Sequence, residues 1–140
     1  MQDNSDIIDH MGFVVEDTRE TVKKFEKLFD VEGSVREYEE EQVVLGTVKV
    51  NGIKFVFNEP MTDDTRWARF LREKGEGLEH ICFSNFDFDE ITDKARSKGF
   101  QLTHDPHKDV GGRRANFVSE EDMHVAKLEF IEPSESDKVE

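Results

Sequence analysis

The sequence predicts an α+β fold in which two paired βαβββ modules form a curled mixed sheet around a central cleft. Residues 8–15, Ile-Asp-His-Met-Gly-Phe-Val-Val, recur in outline at residues 78–85 as Leu-Glu-His-Ile-Cys-Phe-Ser-Asn. The two histidines lie 70 residues apart. Each half also ends on an apolar segment that closes in Glu-Pro, and the two prolines lie 73 residues apart. The matching offsets indicate one structural unit present twice.

The first module covers about residues 7–60. Residues 7–15 are apolar and β-branched, which predicts a strand. Asp17 with Glu20 three residues later is a capping-box pattern, and the apolar residues that follow have helical spacing: Val22, Phe25, Leu28 and Phe29. Three strands are expected after this helix, at about residues 34–40, 43–50 and 53–59. Asn51-Gly52 between the last two indicates a two-residue hairpin.

A connector, residues 61–76, with a helix at about residues 64–74, leads to the second module at about residues 77–133. The second module repeats the plan, with Asp87 and Glu90 in the capping positions. Its expected elements are a strand at 78–86, a helix at 87–98 and strands at 100–104, 113–118 and 124–132. We expect residues 1–140 to be a single domain whose polar tail, residues 134–140, is frayed.

Composition excludes several classes of function. The net charge of −14 argues against binding to nucleic acid or to an anionic membrane, both of which need a basic face. The single cysteine, Cys82, excludes an internal disulfide and is expected to be a small buried hydrophobe. Because the first nine residues are acidic and no apolar run approaches about 20 residues, a cytoplasmic protein without a membrane span is expected.

His10 and His80 are the first candidates for chemistry. Equivalent positions in a duplicated unit would bring both to one site. Glu129 is the third candidate, because it alternates with Leu128 and Phe130 in the last strand and would point into the cleft if those two pack beneath the helices. Two imidazoles and a carboxylate suit Zn, Fe, Co, Ni or Mn rather than Mg or Ca, and leave positions open for substrate.

The sequence resembles the vicinal oxygen chelate (glyoxalase/bleomycin-resistance/dioxygenase) superfamily, and within it the methylmalonyl-CoA epimerases. Three segments between residues 8 and 133 carry the resemblance: Asp-His-Met-Gly-Phe-Val-Val at 9–15, Arg-Phe-Leu-Arg-Glu-Lys-Gly-Glu-Gly-Leu-Glu-His-Ile at 69–81, and Gly-Gly-Arg at 111–113 leading to Phe117. The second segment distinguishes best between families. Its helix, followed by Gly-Glu-Gly and the strand that contains His80, resembles the epimerases more than the glyoxalases.

The resemblance implies a divalent metal held by His10, His80 and Glu129. It also implies exchange of a proton on the carbon next to a carbonyl, through an enediolate that metal chelation stabilises. Glu129 and Glu40 would be the two proton-transferring carboxylates. Glu40 lies in a run of four polar residues, 39–42. A solvent-exposed acidic turn without a catalytic role explains this run as well as a catalytic base does. A homodimer is expected because dimers are common in the family.

Two departures from the family pattern bear on the substrate, a small acid or its CoA thioester. Val56 stands where the superfamily often has a fourth ligand, and Glu59 should face the other side of that strand. His124-Val125 replaces a usual Gly-Gly pair, so His124 is a candidate substrate contact or proton-transfer group. Arg113 is the candidate for binding CoA phosphates, or else a hairpin residue that aids solubility.

Other functions on the same scaffold stay open. Two histidines and a glutamate are also the ligands of Fe(II) extradiol dioxygenases, which should place a further His or Tyr beside an aromatic-lined pocket. A glyoxalase-type lyase would share the ligand strands. A non-catalytic protein that sequesters a small molecule, as the bleomycin-resistance proteins do, would need an apolar cleft and no metal; Trp67 and the 12 phenylalanines could line it.

Overall fold

The computed structural model describes residues 8–84, 86–104, 107–110 and 112–133. It confirms the α+β class and the repeated βαβββ order of elements. Contacts divide the chain into two compact units. We call residues 10–79 the N-terminal unit, and residues 8–9 with the described part of 80–133 the C-terminal unit. No helix in the described ranges is long and apolar enough to cross a bilayer.

The N-terminal unit follows the predicted order closely. Its strands pair in the order β2-β3-β4-β1; β1 and β4 are parallel and the other pairs antiparallel. Its elements are β1 (Ile8–Val14), α1 (Thr18–Phe29), β2 (Ser34–Tyr38), β3 (Val43–Val50), β4 (Ile53–Pro60) and α2 (Arg66–Lys74).

Local sequence signals account for these boundaries. Asp17 caps α1 by accepting a hydrogen bond from Glu20 N at 3.0 Å, as the capping pattern predicts. Asn51 and Gly52 both have positive φ, which the predicted two-residue hairpin requires. The helix of the connector begins at Arg66, two residues later than expected, because Thr65 is its N-cap.

One face of the N-terminal sheet packs against α1. Its buried centre is Val15, Val22, Val48 and Phe57, with further aromatic rings around it. Phe25 of α1 lies 4.9 Å from the ring centroid of Phe57 and 5.5 Å from that of Phe55. Because Phe55 and Phe57 point toward α1, the alternating residues of β4, including Val56, point to the opposite face of this sheet.

The C-terminal unit has the strand order β5-β8-β7-β6, with β5 and β8 parallel. Its elements are β5 (Gly77–Phe83), α3 (Phe88–Ser97), β6 (Lys108–Val110), β7 (Arg113–Val118), α4 (Glu120–Met123) and β8 (Lys127–Ile131). The predicted tail, residues 134–140, and Gly111 lie outside the described residues.

Two predictions for this unit are wrong. The strand expected at residues 100–104 is reduced to one bridge, Leu102 with Val118. The buried side chain of Asn116 binds both the N–H and the C=O of His104, at 3.0 and 2.8 Å, so that backbone pairs with a side chain and not with a strand. The last strand begins at Lys127 and not at His124, because Ser119 caps the short helix α4, which ends at Met123.

Candidate metal-binding face

The face of the C-terminal sheet that carries His80 and Glu129 is defined by strand register. Cys82 of β5 pairs with Glu129 of β8, and His80 pairs with Lys127. Register partners, and residues two apart on a strand, share a face. On β7, which pairs with β8 through Phe117 and Glu129, alternation adds Ala115 and Arg113. We call this surface the site face: His80, Cys82, Arg113, Ala115, Phe117, Lys127 and Glu129.

The opposite face packs beneath α3. Leu128 and Phe130 belong to the apolar cluster that also contains Phe88 and Ala95 of α3. The prediction for Glu129 required that Leu128 and Phe130 pack beneath a helix, and both residues do so. Glu129 therefore points away from α3, onto the site face.

His80 and Glu129 form a buried imidazole–carboxylate pair. His80 Nε2 lies 3.3 Å from Glu129 Oε1, and the two residues are 4% and 6% exposed. Each offers one ligand atom, an imidazole nitrogen and a carboxylate oxygen, to a metal ion. A carboxylate this far from solvent needs a cation or hydrogen-bond donors around it.

Cys82 lies beside this pair and is fully buried, as predicted. It packs with Ala115 and Ile131, and its thiol is hydrogen-bonded to Glu129. Burial, reinforced by the negative charges of Glu129 and Asp9, raises the pKa of the Cys82 thiol far above its usual range. The thiol is therefore protonated and donates to the carboxylate, helping to fix the orientation of Glu129.

Phe117 forms an aromatic wall on the site face. Its ring makes edge contacts with the imidazoles of His80 and His104, at centroid distances of 5.8 and 5.5 Å. The imidazoles of His104 and His107 are both half-buried, and His107 also packs edge-on against Phe88 at a ring-centroid distance of 4.7 Å. The two hydrogen bonds between the Asn116 side chain and the His104 backbone hold His104 in this position.

Lys127 is a site-face residue that the sequence analysis missed. It is half-buried, and its Nζ lies 5.9 Å from the centroid of the Phe117 ring. Its position two residues before Glu129 in the same strand could have predicted that both side chains share a face. The sequence analysis did not use this spacing, because the predicted strand began at His124 and the pairing of that strand with β5 was unknown.

The two consecutive arginines after Gly112 have different surroundings. The guanidinium of Arg114 binds Asp89 Oδ1 on α3 and Glu132 Oε2, which follows β8, each at 2.9 Å. The hydrogen bonds that Asp89 accepts from Arg114 hold the pKa of the Asp89 carboxyl below its usual value. Arg113, the predicted substrate contact, is half-buried on the site face and donates to the Glu132 carbonyl at 3.3 Å.

The other predicted substrate contact and the second predicted base are exposed. His124 is the C-cap residue directly after α4; its φ is 74°, and its backbone N–H donates to the Glu120 carbonyl. Glu40 lies in the turn between β2 and β3. Their roles stay predictions.

In the N-terminal unit, His10 is half-buried on β1. Alternation along β1 puts it on the same side as Gly12, whose register partner on β4 is Val56. Val56 is buried and offers no ligand atom. Glu59 accepts a hydrogen bond from Thr18 N at 2.9 Å. Its carboxylate is therefore bound to the N-terminus of α1, on the side of β4 opposite to Val56.

Glu79 is a buried carboxylate that the sequence analysis did not anticipate. It is 1% exposed, and its Oε2 lies 3.3 Å from Arg66 Nε at the start of α2. Glu79 immediately precedes His80 in β5, so the two side chains leave the strand in opposite directions. The ion pair therefore links the start of α2 to Glu79, the last residue of the N-terminal unit.

Comparisons with known proteins agree with this fold. The profile of the glyoxalase/bleomycin resistance protein/dioxygenase superfamily matches residues 9–117. The chain is 27% identical over 128 residues to the uncharacterized protein YqjC of Bacillus subtilis, covering 90% of this chain and 91% of that protein.

Solved structures similar to this chain include two methylmalonyl-CoA epimerase complexes. A variant of the Streptomyces coelicolor epimerase bound to 2-nitronate-propionyl-CoA is 26% identical, with a TM-score of 0.82. A methylmalonyl-CoA epimerase in complex with methylmalonyl-CoA and NH4+ is 25% identical, also with a TM-score of 0.82. Each comparison covers 95% of this chain and 98% of the other.

Proposed function

Because the chain belongs to the glyoxalase/bleomycin resistance protein/dioxygenase superfamily, we propose that it is a metal-dependent epimerase or isomerase of the methylmalonyl-CoA epimerase type. The observation that carries the proposal is the buried pair of His80 and Glu129, 3.3 Å apart on one sheet face. Similarity to two epimerases bound to acyl-CoA compounds supports the substrate class, a small acid as its CoA thioester.

The donor set fits a divalent transition metal. One imidazole nitrogen and one carboxylate oxygen are ligands that Co, Mn, Zn, Ni and Fe accept. A metal bound here would supply Lewis-acid stabilisation of the negative charge that develops on carbonyl oxygens. The hydrogen bond from Cys82 and the edge contact of Phe117 with His80 restrict both ligands, so little rearrangement is required for binding.

We propose His10 as the second histidine ligand. It occupies the place in the first sequence repeat that His80 occupies in the second. The preceding residue, Asp9, acts electrostatically on the thiol of Cys82, the register partner of Glu129. The start of strand β1 thus belongs to the surroundings of the His80–Glu129 pair, which supports the assignment of His10.

The chemistry requires a proton to leave one face of a carbon and return to the other. In this proposal a carboxylate oxygen of Glu129 takes or returns the proton on one face, and Glu40 acts on the other. Glu40 must approach the substrate from the exposed β2–β3 turn. Arg113 and His124 remain proposed substrate contacts, and the homodimer remains a prediction.

Proton exchange in heavy water tests the proposed activity. Purified protein with added Co, Mn or Zn should incorporate deuterium at the carbon between the thioester and the carboxylate of racemic methylmalonyl-CoA, as followed by NMR. The metal-free protein should exchange more slowly. An absence of exchange with each of the three metals, in protein that binds them, would show that the chain does not act on this substrate.

A ring-cleaving dioxygenase is the second candidate function. It is favoured by His104, which contacts the same Phe117 ring as His80 and thus supplies a further histidine beside an aromatic wall. Anaerobic loading with Fe(II) followed by oxygen uptake with catechols separates the two activities. Uptake coupled to ring opening would replace the epimerase proposal.

A further inference from the structure

A surface pocket lies in the N-terminal unit, between the end of β4, the loop that follows it and α2. Its volume is about 360 Å³, within the range of roughly 300–1,000 Å³ that is typical of small-molecule sites. Four apolar and two charged side chains form most of its lining: Pro60, Met61, Ala68 and Leu71, with Asp63 and Arg72. An apolar wall that carries a few polar groups is the usual composition of a ligand site.

Arg72 has a defined position in this pocket. Its Nη1 donates to the backbone carbonyl of Asp63 at 2.8 Å, which joins α2 to the loop after β4. The side chain is exposed, and it forms no ion pair with any residue in the described ranges. The other N–H groups of the guanidinium are therefore available to a ligand, and their planar arrangement suits a carboxylate.

The Asp63 carboxylate is the opposite charge in the same pocket. It pairs neither with Arg72 nor with another cation in the part of the chain that the structure describes, although Arg72 binds the carbonyl of the same residue. The next residue, Asp64, does not line the pocket and accepts a hydrogen bond from the Thr62 hydroxyl at 2.6 Å. The pocket thus presents one guanidinium and one carboxylate that do not contact each other.

Two separate opposite charges favour a ligand that also carries both charges. Since the charges that line the pocket sum to zero, a simple anion would leave Asp63 unmatched, and a simple cation would leave Arg72 unmatched. An α-amino acid has a carboxylate and an ammonium group on one carbon, so it can reach both side chains at once. An apolar side chain on that carbon would gain free energy by contact with the apolar wall.

We propose that this pocket binds a free α-amino acid with an apolar side chain. The carboxylate of the ligand accepts hydrogen bonds from Arg72, its ammonium group donates to the carboxylate of Asp63, and its side chain packs against Met61 and Leu71. Every residue of this site belongs to the N-terminal unit. The inference goes beyond the proposed metal-dependent function and does not rest on it.

Calorimetric titration of the metal-free protein with four probes tests the class of ligand. The probes are leucine, isocaproate, isoamylamine and glycine. Compared with leucine, isocaproate lacks the ammonium group, isoamylamine lacks the carboxylate, and glycine lacks the apolar side chain. We expect leucine to bind with a Kd of roughly 1 mM or below. Isocaproate and isoamylamine should each bind roughly tenfold more weakly, since each loses a hydrogen bond between charged groups, and glycine should also bind more weakly than leucine.

Two pairs of variants test the residues. Asp63→Asn removes the charge but keeps the backbone carbonyl that Arg72 binds, and Arg72→Met removes the cation. Their matched controls are Asp64→Asn and Arg69→Met, which make the same changes at exposed residues that do not line the pocket. The Kd of leucine should rise roughly tenfold in the first two variants and stay nearly unchanged in the controls.

Three results would overturn the inference. The first is that the unaltered protein does not bind leucine. The second is that isocaproate or isoamylamine binds as tightly as leucine, which would indicate a site for simple acids or simple amines. The third is an unchanged Kd of leucine in folded Asp63→Asn, a variant that leaves the contact between α2 and the loop in place.

Discussion

Substitution of Glu129 by Gln is expected to reduce metal-dependent proton exchange by roughly 10³-fold or more, since general-base catalysis alone is worth roughly 10²–10⁴-fold. The amide keeps the size of the side chain but can neither take a proton nor supply an anionic ligand oxygen. Glu129 has both roles in the proposal, and its Oε1 lies 3.3 Å from His80 Nε2. Deuterium incorporation into methylmalonyl-CoA measures the effect.

The matched control for this variant is Glu121→Gln, which makes the same chemical change at an exposed position on α4. It should exchange protons at the rate of the unaltered protein. Circular dichroism melts of both variants show whether the fold survives. A folded Glu129→Gln protein that retains exchange within a few-fold of the control would exclude Glu129 as ligand and base.

Substitution of Gly46 by Ala is expected to destabilise the N-terminal unit by about 2–3 kcal/mol, near the upper end for forced overpacking of a core. A Cβ at Gly46 would lie 2.6 Å from Val22 Cγ2 and 2.7 Å from Thr18 Cγ2, both on α1. Thr18 has little freedom to retreat, because its hydroxyl binds the Val44 and Phe57 carbonyls. The helix must therefore move away from the sheet.

Urea denaturation of Gly46→Ala against Gly77→Ala measures this effect. An added Cβ at Gly77 would meet no atom within 4 Å, so that control should unfold close to the midpoint of the unaltered protein. Equal midpoints for the two variants would show that α1 does not pack on β3 as closely as described.

Much of the fold could be predicted because its signals are local. The capping residues Asp17 and Asp87, the Asn51-Gly52 turn and the two histidine strands each appear within a few residues of sequence. The orientation of Glu129 followed from alternation, because apolar neighbours on both sides in a strand leave the other face to the polar residue.

The features that were missed depend on contacts between distant residues. The segment at residues 100–104 has a strand-like sequence, but the Asn116 side chain, 12 residues from His104, binds its backbone. The burial of Glu79 depends on Arg66 from α2. Lys127 could be placed beside His80 only when the register of β5 and β8 was known.

Only part of the candidate site could be predicted from local strand patterns, because its other residues are distant in the sequence. His80 and Glu129 lie together in the C-terminal unit, as their strand pattern indicated. The roles of His10, Glu40, Arg113 and His124 came from the repeat or from family resemblance, and they remain predictions. Val56, buried and apolar at the place of a possible fourth ligand, leaves a proposed set of three.

A Co²⁺ titration of the unaltered protein and of its His10→Ala and His80→Ala variants tests whether the two histidines bind one metal ion. We expect the unaltered protein to bind one Co²⁺ per chain. Each variant should bind at least roughly 100-fold more weakly, since loss of a ligand's supporting partner alone costs roughly 10–100-fold. His124→Gly, in which glycine accepts the positive φ of that exposed residue, should bind as the unaltered protein does. A folded His10→Ala variant that binds Co²⁺ with unchanged affinity would contradict the claim that the two repeated histidines hold one metal.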